Sequence, residues 1–359
     1  MRKSIVVEIN KLAAKYNVSA EELTQEAAAY ERDYEETNDR GATCAMVIKY
    51  LRDHTQAEYG KGKRREYTAE EKAAYKAAKK DKLKETVDML DRGVKEIFTS
   101  GRYQEYLQFC STFHSYSYNN QLLILLQNPE AKYVAGYRTW EDKFNRHVLK
   151  GQKGIAILAP NPVKITKTEE DENGDEVEKE IRLMRFRTVY VFGDNQTEGD
   201  PLPEICTKLE GDVENGNEIR AALEKYAAIP IDYSHINGTA NGYFVPNENR
   251  IVVDEGLSEK QTIKTLIHEI AHSKLHGKGC AEENADNRTM EVQAESVAFV
   301  VSNYLGIDTS DYSFGYVAGW AGNQELKQLK ASLDIISKTA KEMIDAIIAA
   351  STTVAAAIA

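Results

Sequence analysis

The sequence predicts an α+β protein with about two domains, and three observations lead to that prediction. The chain has 359 residues, 42% of them apolar, which is enough to bury a sizeable core. Apolar residues recur at helical spacing towards both ends, whereas the middle alternates and carries turn signals. The net charge is −11, yet residues 61–165 have excess cations and residues 166–359 have excess anions. We therefore expect a helical extension over 1–70, a basic α+β domain over 71–205 and an acidic α+β domain over 206–359.

Helices are predicted over most of the first 130 residues. Residues 1–60 have weakly amphipathic helical patterns that end at the basic, glycine-containing break Lys61–Arg65. A long charged helix is expected from Thr68 to Ser100 and a second from Arg102 to Phe113. The apolar run Leu122–Leu126 then precedes the first predicted strands.

Strands are predicted from Ala131 onward. The candidate strands are Lys132–Tyr137, Ile155–Ala159, Val163–Thr168, Val177–Leu183 and Phe186–Phe192. The dipeptide Asn173-Gly174 is a strong hairpin signal between two of them. After a linker that contains Pro201 and Pro203, a helix near 217–227 and the strands Gly242–Val245 and Arg250–Asp254 follow. A last long helix is expected near 323–349.

The strongest chemical signal is the run His268-Glu269-Ile270-Ala271-His272, which lies within a predicted helix. Ser258 is a candidate N-cap for that helix, because Gln261 completes a capping box, and Gly277 is a suitable stop. Residues at i and i+4 share one helical face, so both imidazoles can reach a single metal ion. This HExxH spacing is typical of zinc hydrolases, in which the glutamate activates the attacking water.

A third ligand is expected on the next helix, which contains Glu291 and Glu295 at i and i+4. The pattern HExxH, a gap, then ExxxE resembles the gluzincin metallopeptidases. That resemblance implies Glu291 as the third zinc ligand and Glu295 as an acid that orients a ligand histidine. His276 continues the histidine row, but His268 and His276 lie about 12 Å apart along a straight helix. We therefore interpret His276 as a helix-end polar residue favoured by the dipole.

The composition also indicates the cellular compartment. The four cysteines are scattered, without a CxxC pair, which indicates a reducing environment. The sequence has no run of 18 apolar residues, and its start meets a charge too early for a signal peptide. We expect a cytoplasmic protein that has no membrane partner.

The basic segment 113–160 interleaves aromatic and cationic residues, a combination that single-stranded nucleic acid binding requires. Core aromatics and a solvated cationic face would give the same composition. Three parts of this segment resemble the N-terminal domain of ArdC-type antirestriction proteins and their LtrC-like relatives, which occur on plasmids and conjugative elements. These parts are Phe113–Leu123, Val134–Trp140 and Lys150–Pro160. Further similar parts are Val189–Phe192, Gln196-Thr197, Pro201–Pro203, Gly242–Phe244, Arg250–Val253 and the HEIAH run.

The resemblance implies a protein of a mobile genetic element that binds single-stranded DNA and protects incoming DNA from restriction. It also implies a zincin-like, Zn²⁺-dependent metallopeptidase domain that acts on an unknown protein substrate. The expected DNA contacts are Tyr116, Tyr118, Asn120, Arg138, Trp140, Lys150 and Lys153. Tyr316, or else Tyr312, is a candidate oxyanion donor, with core packing as the alternative.

Two other functions stay open from the sequence. One is a DNA-shielding protein in which zinc only supports the structure. The other is a peptidase that cleaves phage or transposon repressors and is targeted by its basic domain.

Overall fold

The structure of the chain, a computed structural model, describes residues 2–38, 41–58, 68–170, 176–202 and 216–358. The described helices are α1 (Lys3–Tyr16), α2 (Ala20–Asn38), α3 (Cys44–Glu58), α4 (Ala69–Thr99), α5 (Tyr103–Thr112), α6 (Tyr118–Gln127), α7 (Tyr137–Phe144), α8 (Gly216–Ala227), α9 (Glu259–His276), α10 (Asn287–Tyr304), α11 (Val317–Ala321) and α12 (Leu326–Ile358). The described strands are β1 (Val134–Ala135), β2 (Arg146–Val148), β3 (Ile155–Glu170), β4 (Glu176–Gly193), β5 (Thr197–Gly199), β6 (Ile231–Ser234), β7 (Gly242–Val245) and β8 (Arg250–Asp254). The α+β class predicted from the sequence is confirmed.

The chain forms two compact units, Met1–Lys76 and Ala77–Ala359. In the first unit, α1, α2 and α3 bury apolar side chains in a small core of their own. Its fully buried members are Ile5, Leu23, Ala27, Val47 and Leu51. The predicted basic break at 61–65 lies outside the described residues.

The second unit has one continuous core that includes residues from both sides of position 205. Tyr103 on α5 and Ser296 on α10 share a hydrogen bond of 2.7 Å between their hydroxyls. Ser111 donates to the Asn303 side chain at 2.8 Å, again joining α5 to α10. The segments 71–205 and 206–359, separate in the sequence analysis, are thus packed together.

The sheet of β1, β4 and β3 departs from two sequence predictions. Only Val134–Ala135 of the expected strand 132–137 is extended, and Tyr137 begins α7 instead. Because Trp140 on α7 is fully buried, tertiary packing decides this segment's conformation. The two strands predicted at 155–159 and 163–168 are instead one continuous strand, β3, paired with β4. Edge strands tolerate proline, and β3 lies at the edge of the order β1-β4-β3. The predicted turn at 173–174 lies outside the described residues, although Glu170 and Glu176 pair on either side of it.

A second three-stranded sheet, of order β6-β8-β7, supports the histidine helix. The central strand β8 is buried, and it pairs in parallel with β6 and antiparallel with β7. Because β8 has a partner strand on each side, it has no free edge with which to pair with an extended substrate. Strand β7, by contrast, lies at the edge of the sheet. Among the described residues, no helix has the length and apolar character needed to cross a membrane.

Candidate metal centre

The ends of the histidine helix follow the sequence prediction. Ser258 caps α9 by accepting a hydrogen bond from the Gln261 amide, and the helix ends at His276, before Gly277. On α10, Asp286 caps the first turn through the Thr289 amide. The two helices pack against each other, and Ile267 and Ile270 on α9 and Ala294 on α10 are fully buried. The HExxH face of α9 is thereby brought next to Glu291 on α10.

Three side chains converge at this contact, and each offers one ligand atom. The Nε2 atoms of His268 and His272 lie 3.1 Å apart. The Glu291 carboxylate oxygens lie 3.7 Å from Nε2 of His268 and 3.6 Å from Nε2 of His272. Donors bound to one tetrahedral zinc at about 2.0–2.1 Å would lie roughly 3.3 Å from one another. The two imidazoles and the carboxylate therefore fit a single divalent metal ion.

Glu269 lies beside this group but does not share its face. It is buried, and the backbone N–H of Phe244 on β7 donates to its carboxylate. Burial raises the pKa of Glu269 to about 7, so its carboxyl group can gain or lose a proton near neutral pH. Strand β7 comes this close because Gly242 has no side chain. A Cβ there would lie 2.6 Å from the Thr265 side chain and 2.9 Å from the Val252 carbonyl oxygen.

Two clefts extend from the convergence point. One, of about 680 Å³, is lined by Tyr243 and Phe244 on β7 and by His268, Glu269 and Glu291. The other, of about 440 Å³, also reaches His268 and Glu269 and continues past Glu295 and Tyr312. The side chain of Glu291 is 52% exposed. An extended ligand could therefore cross the site from one cleft to the other.

His276 is the last residue of α9, but it is buried and has specific side-chain partners in addition to the helix dipole. The residue is only 5% exposed, and its Nδ1 lies 3.0 Å from Nδ1 of His272. Its Nε2 lies 2.9 Å from Oε1 of the Gln293 side chain, and Nε2 of Gln293 donates to the Ser332 hydroxyl at 3.2 Å. If His272 presents the lone pair of Nε2 to a metal, its Nδ1 must carry the proton and donate to His276. His276 then donates from Nε2 to the side-chain oxygen of Gln293. All hydrogen bonds in this series therefore run in the same direction, from His272 towards Ser332.

Glu295 has a different partner from the one that the gluzincin pattern implies. The Tyr316 hydroxyl donates to its carboxylate, and burial raises the pKa of both groups. Among the described residues, Nδ1 of His272 contacts His276, whereas the prediction was an acid beside one of the ligand histidines. The HxxxHxxxH spacing in the sequence indicates that His276 can contact His272. The contact of His276 with Gln293 depends on the packing of α10 against α9, which the spacing does not show.

The predicted DNA contacts fall into a buried and an exposed group. Trp140 is fully buried and donates to the Phe192 carbonyl oxygen, and Tyr118 is only 8% exposed. Neither ring has an accessible face, so a stacking role for Trp140 or Tyr118 is incompatible with this structure. The Tyr116 hydroxyl donates to the Val134 carbonyl, and the Asn120 amide pairs with the backbone of Leu158. By contrast, the three cations of this prediction, Arg138, Lys150 and Lys153, are all exposed.

Comparison with known proteins finds two domain matches along the chain. Residues 76–192 match the N-terminal domain of the anti-restriction factor ArdC, and residues 224–312 match the IrrE N-terminal-like domain of peptidase family M78. The chain is 26% identical over 306 residues to the uncharacterized protein pXO2-81 of Bacillus anthracis, a match that includes 75% of this chain and 51% of the relative. The chain thus spans about half the length of that relative.

Two crystal structures of the antirestriction ArdC protein from the R388 plasmid are also similar. The metal-free form is 22% identical, with 65% of this chain and 83% of that chain covered and a TM-score of 0.41. The Mn(II)-bound form is 20% identical, with 64% and 81% covered and a TM-score of 0.41.

The two domain matches define the class as an α+β protein with an antirestriction-type N-terminal domain and an M78 peptidase-like domain. The chain thus combines an ArdC-type N-terminal domain with an M78 peptidase-like domain, and the predicted resemblance to ArdC-type proteins is confirmed.

Proposed function

We propose that this ArdC-type protein binds single-stranded DNA in an antirestriction role and that its M78 domain is a zinc-dependent metallopeptidase. The observation that carries the peptidase proposal is the convergence of His268, His272 and Glu291 beside Glu269 at an open cleft. The direct test compares wild type with Glu269→Gln for bound metal and for cleavage of candidate host and element-encoded proteins.

Zinc is the ion that the donor set favours. Two neutral imidazoles and one carboxylate form the usual set of a catalytic zinc site, which leaves a fourth position open. Because other divalent ions also bind such donors, the identity of the metal is tested by competition under defined metal concentrations.

The chain's own groups can carry out the proton transfers of peptide hydrolysis. A bound Zn²⁺ would polarise the scissile carbonyl and lower the pKa of the attacking water. Glu269 takes a proton from that water and returns it to the leaving amine. Its pKa near 7 suits both transfers, although a bound cation would lower that pKa. Tyr316, now paired with Glu295, is our candidate donor to the developing oxyanion.

Strand β7 is the element best suited to hold an extended peptide. It is an edge strand, it lines the larger cleft, and its Phe244 amide already contacts Glu269. Substrate pairing along such an edge gives affinity through backbone hydrogen bonds.

A purely structural zinc is less well supported by this geometry. Structural sites are closed by four protein ligands. Among the described residues, Glu291 is the one further residue that offers a donor atom beside His268 and His272. Both clefts reach this group of three residues.

We expect the His276 contact to matter for metal affinity. Replacing His276 with leucine removes the acceptor that fixes the His272 tautomer, so metal affinity should fall about 10- to 100-fold. Competition with a fluorescent chelator measures the dissociation constant. His276→Asn retains a carbonyl acceptor and should recover part of the loss. An unchanged dissociation constant for His276→Leu would contradict the positioning role.

We also expect a preference for single-stranded over duplex DNA, with little sequence choice. Stacking on an aromatic face requires an unpaired base but tolerates any base. The logarithm of the affinity should fall with the logarithm of the salt concentration, with a slope of about −0.7 per phosphate contacted. Fluorescence anisotropy with matched oligonucleotides measures both quantities. The full chain is used because residues on both sides of position 205 share one core. Equal affinity for duplex would count against this function.

A further inference from the structure

The two longest strands continue beyond the body of the sheet as an exposed two-stranded ribbon. We call residues 159–166 of β3 and 180–187 of β4 the distal ribbon. In the ladder, Pro160 pairs with Phe186 and Lys164 with Arg182. Every residue from 182 to 187 is exposed, in contrast to Val191 and Ile155 nearer the helices, which are buried. This part of the chain therefore presents two accessible faces.

Side chains alternate along each strand, so the two faces differ in composition. The first, which we call the Phe186 face, contains Pro160, Pro162, Lys164, Arg182, Met184 and Phe186, and ends at Thr166 opposite the acidic Glu180. The second, the Arg185 face, contains Ala159, Asn161, Val163, Leu183, Arg185 and Arg187, and ends at Ile165 opposite Ile181. On the Phe186 face, Met184 is 63% exposed and Phe186 is 48% exposed. An aromatic ring thus lies next to exposed apolar and cationic side chains.

The free edge of β3 is protected against pairing with another strand. The Asn120 amide bonds both the N–H and the C=O of Leu158, and the Gln127 amide does the same for Ala156. Backbone groups of alternate residues point to the same side of a strand, so Pro160 and Pro162 occupy the next two outward positions. Proline has no N–H to offer there. A partner is therefore expected to bind the side-chain face rather than to add a strand.

Charge indicates the chemistry of that partner. Within the described part of the chain, none of the guanidinium groups of Arg182, Arg185 and Arg187 is in an ion pair, although Lys164 pairs with Glu180 at 2.9 Å. Arg182 and Lys164 lie directly opposite each other, and like charges in that position repel. Glu180 already offsets the charge of Lys164, so an anion bound here would mainly neutralise Arg182. A polyanion with flat apolar groups matches the cations and the ring together.

We propose that the Phe186 face of the distal ribbon binds single-stranded DNA, with a base stacked on Phe186 and phosphates next to Arg182 and Lys164. This inference rests on the proposed DNA-binding function and gives it a surface. It differs from the surface predicted from the sequence, in which the rings of Tyr118 and Trp140 prove to be buried. A duplex groove also admits a β-ribbon, but stacked pairs leave no base to cover Phe186.

The test uses matched substitutions on the two faces of the full chain. Phe186→Ala and Arg182→Ala alter the proposed face, and Leu183→Ala and Arg185→Ala are their controls on the other face. Anisotropy with a labelled oligothymidine is measured over a salt series, and melting temperature and metal content verify folding. Loss of stacking should weaken binding about 5- to 100-fold for Phe186→Ala, and Arg182→Ala should lower the salt slope by about 0.7. Leu183→Ala should stay close to wild type, and Arg185→Ala should change the slope less than Arg182→Ala.

The possible failures are distinguishable. If wild type binds single-stranded DNA but Phe186→Ala and Arg182→Ala bind equally well, the surface is wrong and the proposed function stands. If the two control variants lose as much affinity as the two variants of the Phe186 face, binding is not specific to that face and the assignment is also overturned. If wild type fails to bind at all, the proposed function itself fails. Equal binding of duplex through the same residues would assign the ribbon to a groove instead.

Discussion

Replacing both His268 and His272 with alanine should leave the purified protein without stoichiometric zinc. Their Nε2 atoms lie 3.1 Å apart and supply two of the three donors at the convergence point. Without them Glu291 alone remains from this group, and a single carboxylate binds zinc weakly. Elemental analysis after dialysis should give about one zinc per chain for wild type and close to none for the double variant.

A matched control for this variant is available in the same chain. His147 and His235 are exposed, with side chains 59% and 73% accessible, and neither lies in the convergent group. Their double replacement by alanine removes the same number of imidazoles and should leave the metal content unchanged. Because a ligand that binds only the folded state stabilises it, a chelator should lower the melting temperature of wild type and control but not of the ligand variant. Full metal occupancy without His268 and His272 would refute the site.

The Glu269→Gln substitution should abolish most of any peptidase activity while leaving zinc content and DNA affinity nearly unchanged. Glutamine has the same shape and can still accept the hydrogen bond from the Phe244 amide, but it cannot take up a proton. Loss of a general base costs about 10²- to 10⁴-fold in rate. Cleavage of candidate host and element-encoded proteins should be followed with wild type and variant in parallel, together with zinc analysis and DNA titration.

Glu283→Gln provides the control for this experiment. Glu283 lines the same cleft but accepts from the Gly279 amide and is exposed, so its replacement should preserve activity. Undiminished cleavage by Glu269→Gln would mean that another group is the base, and the gluzincin mechanism would have to be abandoned. If neither protein cleaves any candidate and zinc is found in a closed four-ligand site, the DNA-shielding function would be favoured instead.

The sequence alone determined the features that depend on neighbours in the chain. The ends of α9 followed from Ser258 and Gly277, because caps act within one turn of the helix. The helical period fixed His268 and His272 on one face, with Glu269 turned away from them. The resemblance of short segments to ArdC-type proteins also indicated the N-terminal domain and a peptidase-like domain after it.

The tertiary structure decided what depends on distant contacts. Whether Trp140 and Tyr118 are core residues or stacking platforms is a question of burial, which an aromatic pattern does not settle. Likewise, the contact of His276 with His272 follows from helical spacing, but its contact with Gln293 exists because α10 packs against α9. The prolines of β3 end no strand because its edge position, set by the pairing order of the sheet, needs no donors from them. Burial and pairing of this kind arise between segments far apart in the chain, so no local period or spacing in the sequence specifies them.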